Sequence, residues 1–233
     1  MEQAVKFPAK GADFNAFYCK PENPKAFVLV IHEVHGLSDK IKDICRLLAK
    51  NGYAAFAPNL WTREGTPQLS DHSSILRKLQ DTSDQLMLEH LDDAILHLKN
   101  EGARKIVALG LGIGGTWAML LASRHPDLAA CIAFYGTLIR EPGKLKKDPI
   151  DCLDDVKCPI LFISGALDDD PVVVPRRDVE RLAKAAQQKG IFCRTILLEK
   201  AGYAFCNPAS KYYNKEFCNQ ALEQAVKFLE EKI

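Results

Sequence analysis

The sequence lacks an excess of charge of either sign. Its 233 residues include 31 Lys and Arg against 30 Asp and Glu, which leaves a net charge of +1. Proteins that bind nucleic acids or anionic membranes through electrostatics carry a clear basic excess. We therefore expect neither a nucleic acid nor a membrane as partner. Hydrophobic residues make up 47% and charged residues 26% of the chain, a globular composition that excludes a disordered chain, a collagen or a coiled coil.

Closely spaced cysteine pairs are also absent. No CxxC motif occurs, and because zinc sites use such pairs with histidine nearby, we expect no metal. The first ten residues lack the apolar stretch of a secretion signal. We therefore expect a cytoplasmic protein in which most cysteines are small, buried, free thiols. The eight cysteines are Cys19, Cys45, Cys131, Cys152, Cys158, Cys193, Cys206 and Cys218.

Long uncharged runs are scarce, and only residues 106–123 are long enough to suggest a membrane span. Four glycines stand together in the first half of this run, after a β-branched stretch. Glycines grouped in this way mark a tight turn. The run therefore predicts a buried strand, a glycine turn and a buried helix rather than a transmembrane segment.

Strand-like and helix-like patterns alternate along the chain. This alternation is typical of an α/β fold with a mostly parallel sheet covered by helices on both faces. Because no linker of the kind found at domain boundaries interrupts the pattern, we expect one domain over residues 1–233. Catalytic and binding sites of such sheets form beyond the carboxyl ends of the strands. Strands are predicted at 26–31, 53–57, 105–109, 129–135, 159–164 and 192–198, and helices at 38–52, 71–100 in two pieces, 113–124, 175–189 and 214–231.

The glycine turn over residues 110–115 permits two interpretations. As GxGxxG it is typical of a dinucleotide-binding oxidoreductase, but no acidic residue ends the following strand to bind a ribose. We therefore favour no cofactor. As G-x-nucleophile-x-G it matches a nucleophile elbow, the strained turn that exposes a catalytic side chain above the sheet. The nucleophile position is then Gly112, which has no side chain to attack a substrate.

Six segments, in this order, resemble the dienelactone hydrolases (carboxymethylenebutenolidases), a family with the α/β-hydrolase fold. The resemblance covers nearly the whole chain and implies a hydrolase of carboxylic esters or lactones. The segments are IHEVHGL at 31–37, GYAA with APNL at 52–60, GLGIGG at 110–115, FYG at 134–136, GALD with VP at 165–175, and AGYAF at 201–205.

The resemblance implies a site with a cysteine nucleophile, a histidine, an aspartate and a glutamate that hydrogen-bonds the resting thiol. Asp168 stands at the aspartate position and Glu33 at the glutamate position. Gly112 replaces the cysteine, and Tyr203 replaces the histidine. Asn207 stands at about the place of an arginine that binds the substrate carboxylate.

The missing nucleophile and base predict a catalytically impaired homologue that keeps a pocket for a small molecule or a partner. Loss of both groups from a triad leaves roughly 10³–10⁴-fold acceleration over water. The main-chain N–H groups of Ile113 and Val34 are expected to survive as an oxyanion hole, since they need no side chain. Tyrosine, with an ordinary pKa of about 10, is no substitute for the histidine base near pH 7.

The alternative is an active hydrolase with a relocated mechanism. In it, Glu33 activates water directly, or Cys206 becomes the nucleophile with His35 as its base. For either hypothesis we expect a monomer or a weak homo-oligomer.

Overall fold

One eight-stranded sheet organises the chain. The structure, a computed structural model, describes residues 1–63, 65, 67, 72–139, 148–167 and 174–233. The strand order is β1-β2-β4-β3-β5-β6-β7-β8, parallel from β4 to β8, with β1 and β2 antiparallel at one edge. The strands are β1 Glu2–Ala9, β2 Ala12–Cys19, β3 Phe27–Ile31, β4 Ala54–Pro58, β5 Ile106–Leu111, β6 Ala130–Phe134, β7 Ile160–Gly165 and β8 Cys193–Leu198.

The helices lie on both faces of this sheet. α1 and α6 pack on one face with the apolar side chains that point to it, whereas α3, α4 and α5 pack on the other. Ser38 caps α1, its hydroxyl accepting from the N–H of Ile41 at 3.4 Å. The helices are α1 Asp39–Lys50, α2 His72–Asp81, α3 Asp84–Asn100, α4 Ile113–Arg124, a 3₁₀ helix Pro149–Asp155, α5 Arg176–Gln188 and α6 Lys215–Lys232.

The sequence prediction missed the β1–β2 hairpin. Lys10 and Gly11 form its two-residue turn with φ values of 48° and 72°, and Ala9 pairs with Ala12 across it. Two positive φ angles give the turn a twist that matches the twist of the flanking strands. The signal was present in the sequence as a Lys-Gly pair between two alternating apolar segments.

The remaining elements confirm the predicted α/β fold, with boundaries shifted by one or two residues. The uncharged run at 106–123 becomes β5, a turn and most of α4. Within the described ranges, no helix is both long enough and apolar enough to cross a membrane.

Parallel strands place their following loops at one edge of the sheet. The loops after β3, β5, β6 and β8 meet there, and they contain Glu33, Gly112, Tyr135 and Tyr203. The loop after β7 begins at the same edge, but Asp168 lies outside the described residues. The predicted site is therefore assembled from several distant parts of the sequence.

Candidate active site at the carboxyl end of the sheet

The turn between β5 and α4 has the geometry of a nucleophile elbow. Gly112 has φ 55° and ψ −124°, conformations that side-chain-bearing residues adopt only under strain. Gly114 allows the close approach of the helix to β3, because a Cβ there would lie 2.4 Å from the carbonyl oxygen of Ile31. The elbow backbone is thus retained although its central residue carries no side chain.

Two side chains border the position that a nucleophile would occupy. A Cβ on Gly112 would lie 3.6 Å from the Tyr203 hydroxyl oxygen and 3.8 Å from Cβ and Cγ of Glu33, all ordinary contact distances. Tyr203 and Glu33 therefore stand beside residue 112, as the family resemblance implies. The surroundings therefore have room for a Cβ at this position.

Glu33 is a buried carboxyl with two donors. The residue is 8% exposed. The Asn207 side-chain amide donates to Oε2 at 2.7 Å, and the Tyr135 hydroxyl donates to Oε1 at 3.3 Å. Burial nevertheless raises the pKa of Glu33 to about 7, because desolvation outweighs these hydrogen bonds and the positive charge of Lys40. Near neutral pH the carboxyl can therefore both accept and release a proton.

Asn207 holds Glu33 and His35 in fixed positions. Its Nδ2 lies 2.7 Å from the Glu33 carboxylate and 3.0 Å from His35 Nδ1, while its Oδ1 accepts from the N–H of Ala209 at 2.9 Å. An amide NH₂ has two hydrogens, so both contacts are satisfied when His35 is neutral and accepts at Nδ1. Burial lowers the pKa of His35, which favours this neutral form.

His32 is a structural imidazole beneath the site. Its Nε2 accepts from the N–H of Leu60 at 3.0 Å, so the proton of the neutral ring is on Nδ1, which donates to the Glu33 carbonyl at 2.6 Å. Complete burial lowers the pKa of His32 to about 4. His32 therefore fixes the backbone of the loop and takes no part in proton transfer near neutral pH.

The two predicted oxyanion donors are held by the hydrogen bonds of their own peptide groups. The Glu33 carbonyl accepts from His32 and from the N–H of Gly36 at 3.0 Å. Because a peptide is planar and trans, this fixes the Val34 N–H in the opposite direction. The Gly112 carbonyl accepts from the N–H groups of the first turn of α4, and Ile113 is the first residue of that helix. Neither the Val34 N–H nor the Ile113 N–H donates a hydrogen bond to an acceptor in the described part of the chain.

Strained backbone also marks this edge of the sheet. Among the described residues, three other than glycine have a positive φ, and two of them, Tyr135 (40°) and Ala204 (53°), lie in the loops of the site. The third, Lys10, belongs to the hairpin turn. Strained conformations cluster where a fold must position groups for function.

Comparison with known proteins identifies the family. The sequence model of the dienelactone hydrolase family matches residues 14–233. The chain belongs to this family. Dienelactone hydrolase relatives include a "Putative carboxymethylenebutenolidase" of Salmonella typhimurium, 31% identical over 209 residues that cover 86% of this chain and 76% of that protein. A protein of the same name from Saccharolobus solfataricus is 31% identical, with 98% of both chains covered.

The fold of a dienelactone hydrolase is confirmed by solved structures. The crystal structure of a "Putative Dienelactone Hydrolase" from Klebsiella pneumoniae superimposes with a TM-score of 0.88 at 26% identity, and covers 97% of each chain. The α/β-hydrolase fold is therefore shared.

The structure corrects the expectation that Cys206 is a free thiol. Cys206 forms a disulfide with Cys218 of α6, and both residues are completely buried. The His35 side chain is hydrogen-bonded to Asn207. The proposed Cys206–His35 pair is therefore wrong for this state of the protein, because a disulfide sulfur cannot act as a thiolate nucleophile. The spacing of twelve residues between Cys206 and Cys218 does not indicate in the sequence that they pair.

Proposed function

We propose that this dienelactone hydrolase homologue binds a small, uncharged carbonyl compound, an ester or a lactone, without forming an acyl-enzyme. The observation that carries the proposal is the combination at residue 112. The elbow backbone is retained, yet Gly112 offers no nucleophile. Among the described residues, the two side chains nearest to that position are Tyr203 and Glu33, and neither is an activated thiol or an imidazole.

The oxyanion hole supplies the recognition. The Val34 and Ile113 N–H groups are held in place by the hydrogen bonds of their peptides, and the family resemblance implies that both donate to one carbonyl oxygen. Binding of a carbonyl needs no nucleophile, so this part of the site is unaffected by the substitution at residue 112.

The charges of the site favour an uncharged ligand. Glu33 is half ionised near pH 7, and a ligand carboxylate next to it would repel its negative form. At about the place of the family arginine, Asn207 is already bonded to Glu33 and His35. The half-buried Lys40 is coupled to Glu33 and offsets part of its charge. An ester or lactone that carries no carboxylate of its own is therefore compatible with the charges of Glu33 and Lys40.

The binding claim is tested with γ-valerolactone and two substitutions at the first residue of α4. Ile113→Pro removes the oxyanion N–H, and proline is well tolerated at the first helical position. We expect lactone binding to weaken about tenfold, the value of one hydrogen bond. Ile113→Ala keeps the N–H and is the matched control. Equal affinity of both variants, measured by NMR titration, would contradict binding in the oxyanion hole.

A second candidate function is direct hydrolysis by water. The observation that favours it is the position of the buried Glu33 carboxyl next to residue 112, with a pKa of about 7 that suits a general base. Hydrolysis of p-nitrophenyl acetate tests it. If Glu33→Gln abolishes turnover while no acyl group is ever bound to the protein, Glu33 acts on water. A rate equal to that of the variant would leave binding without hydrolysis.

A further inference from the structure

A carboxyl side chain, a tyrosine hydroxyl and a main-chain N–H lie next to residue 112. Glu33 Cγ lies 3.8 Å and the Tyr203 hydroxyl 3.6 Å from the position of a Cβ on residue 112. The Ile113 N–H follows that residue directly in the chain. In a family member with a nucleophile, this space holds the attacking side chain. In this chain residue 112 places no side-chain atom in that space.

We propose that the site catalyses proton transfer at the carbon next to the carbonyl of an unsaturated γ-lactone, with the Glu33 carboxylate as the base. This inference rests on the proposed lactone binding. The C–H bond breaks, its proton passes to a Glu33 carboxylate oxygen, and its electron pair forms the enolate. The Val34 and Ile113 N–H groups hold the enolate oxygen. The proton then returns to a different carbon of the conjugated system, so the product is an isomer and no co-reactant is consumed.

The groups present suit this reaction better than acyl transfer. Acyl transfer needs a nucleophile and an acid for the leaving group, and neither a cysteine at residue 112 nor a histidine at residue 203 is present. Proton transfer needs only a base within reach of the C–H bond and donors for the developing negative charge. Among the described residues, Glu33 is the base, and the Val34 and Ile113 N–H groups are the donors.

The neighbours of Glu33 prepare it for the role of base. Asn207 and Tyr135 donate to separate carboxylate oxygens, which leaves further lone pairs on each oxygen. The other titratable groups that face it are Lys40 of α1, the neutral His35 and Tyr203. A carboxyl with a pKa near the working pH is a stronger base than an exposed one.

The test uses α-angelica lactone in D₂O, followed by proton NMR. Removal of a proton between the carbonyl and the double bond, and deuteration at the far end of the enolate, gives the conjugated isomer, β-angelica lactone. Hydrolysis gives levulinic acid instead. One spectrum therefore separates the two reactions. We expect isomer with deuterium at the new position, formed faster than in buffer alone.

Glu33→Gln is expected to lower the isomerisation kcat at least 100-fold, since removal of a general base costs about 10²–10⁴-fold. Affinity for γ-valerolactone should change less than threefold. Glu22→Gln makes the same chemical change at an exposed residue before β3, at the opposite end of the sheet, and is the matched control. Glu33→Asp should restore part of the rate, which a purely structural role of Glu33 would not predict.

The outcomes are distinct. If γ-valerolactone binds but α-angelica lactone is neither isomerised nor deuterated, the proton-transfer inference is wrong and the proposed binding function stands. Levulinic acid as the sole product supports hydrolysis by water and overturns the inference. Failure of both lactones to bind contradicts the proposed function and this inference together. Equal isomerisation by wild type and Glu33→Gln removes Glu33 from the reaction.

Discussion

Glu33→Gln should stabilise the protein at alkaline pH, because it removes a carboxyl that is buried with insufficient compensation. The residue is 8% exposed, and its pKa is about 7 in the folded protein against an ordinary value of 4.5. Between these two values the folded state binds the proton that the unfolded state has released. Stability therefore falls as the pH rises through this window.

The magnitude follows from linkage. Each pH unit between the two pKa values is worth about 1.4 kcal/mol, which gives a loss of about 3 kcal/mol by pH 8. Glutamine does not ionise, so the variant escapes this loss. We expect the free energy of unfolding of Glu33→Gln, relative to wild type, to rise by about 3 kcal/mol from pH 4 to pH 8.

The difference between variant and wild type is the quantity to measure, because His32 acts in the opposite direction. Its pKa is lowered to about 4 from 6.5, so it adds stability as the pH rises between those values. This contribution is common to both proteins and cancels in the difference. Urea unfolding at several pH values gives the result, with Glu22→Gln as the control for loss of an exposed carboxyl. A flat difference for Glu33→Gln, or a variant that loses stability with rising pH, would refute the reasoning.

Three further predictions concern the support of the site. Gly114→Ala should prevent folding, because its Cβ would lie 2.4 Å from a main-chain oxygen. Gly112→Ala should cost only about 1–3 kcal/mol of backbone strain. Expression yield and the free energy of unfolding in urea compare the two variants. His32→Ala should destabilise by about 2–4 kcal/mol through two lost hydrogen bonds and a cavity, so an unchanged unfolding midpoint would contradict its structural role. Replacement of Cys206 and Cys218 by alanine should cost about 3 kcal/mol and make stability independent of reductant; the same reductant sensitivity in the variant would disprove the disulfide.

The sequence predicted those parts of the fold that depend on local patterns. α4 begins and ends at Ile113 and Arg124 as predicted, because glycines before it and apolar residues within it define a buried helix. The β1–β2 hairpin lies outside the predicted strands, because its Lys10–Gly11 turn differs from the Asn-Gly or Asp-Gly pair that most clearly signals a two-residue hairpin.

The site depends on contacts that no local pattern contains. Glu33 accepts hydrogen bonds from Tyr135, which is 102 residues away along the chain, and from Asn207, which is 174 residues away. The family resemblance identified Glu33, Gly112 and Tyr203 as neighbours, but it gave neither the burial of Glu33 nor its donors. The Cys206–Cys218 bond arises because the loop after β8 folds back onto α6, which spacing alone does not indicate.

The most direct test of the account asks whether an acyl-enzyme forms. Wild type and the double variant Gly112→Cys with Tyr203→His are mixed with p-nitrophenyl acetate, quenched in acid and weighed intact by mass spectrometry. Because residue 112 has room for a Cβ and the variant regains a nucleophile and a base, we expect the double variant to carry an acetyl group at that position. Wild type should show no acetyl group on any residue of the site. An acetylated site residue in wild type, mapped by peptide sequencing, would contradict the claim that this chain works without covalent catalysis.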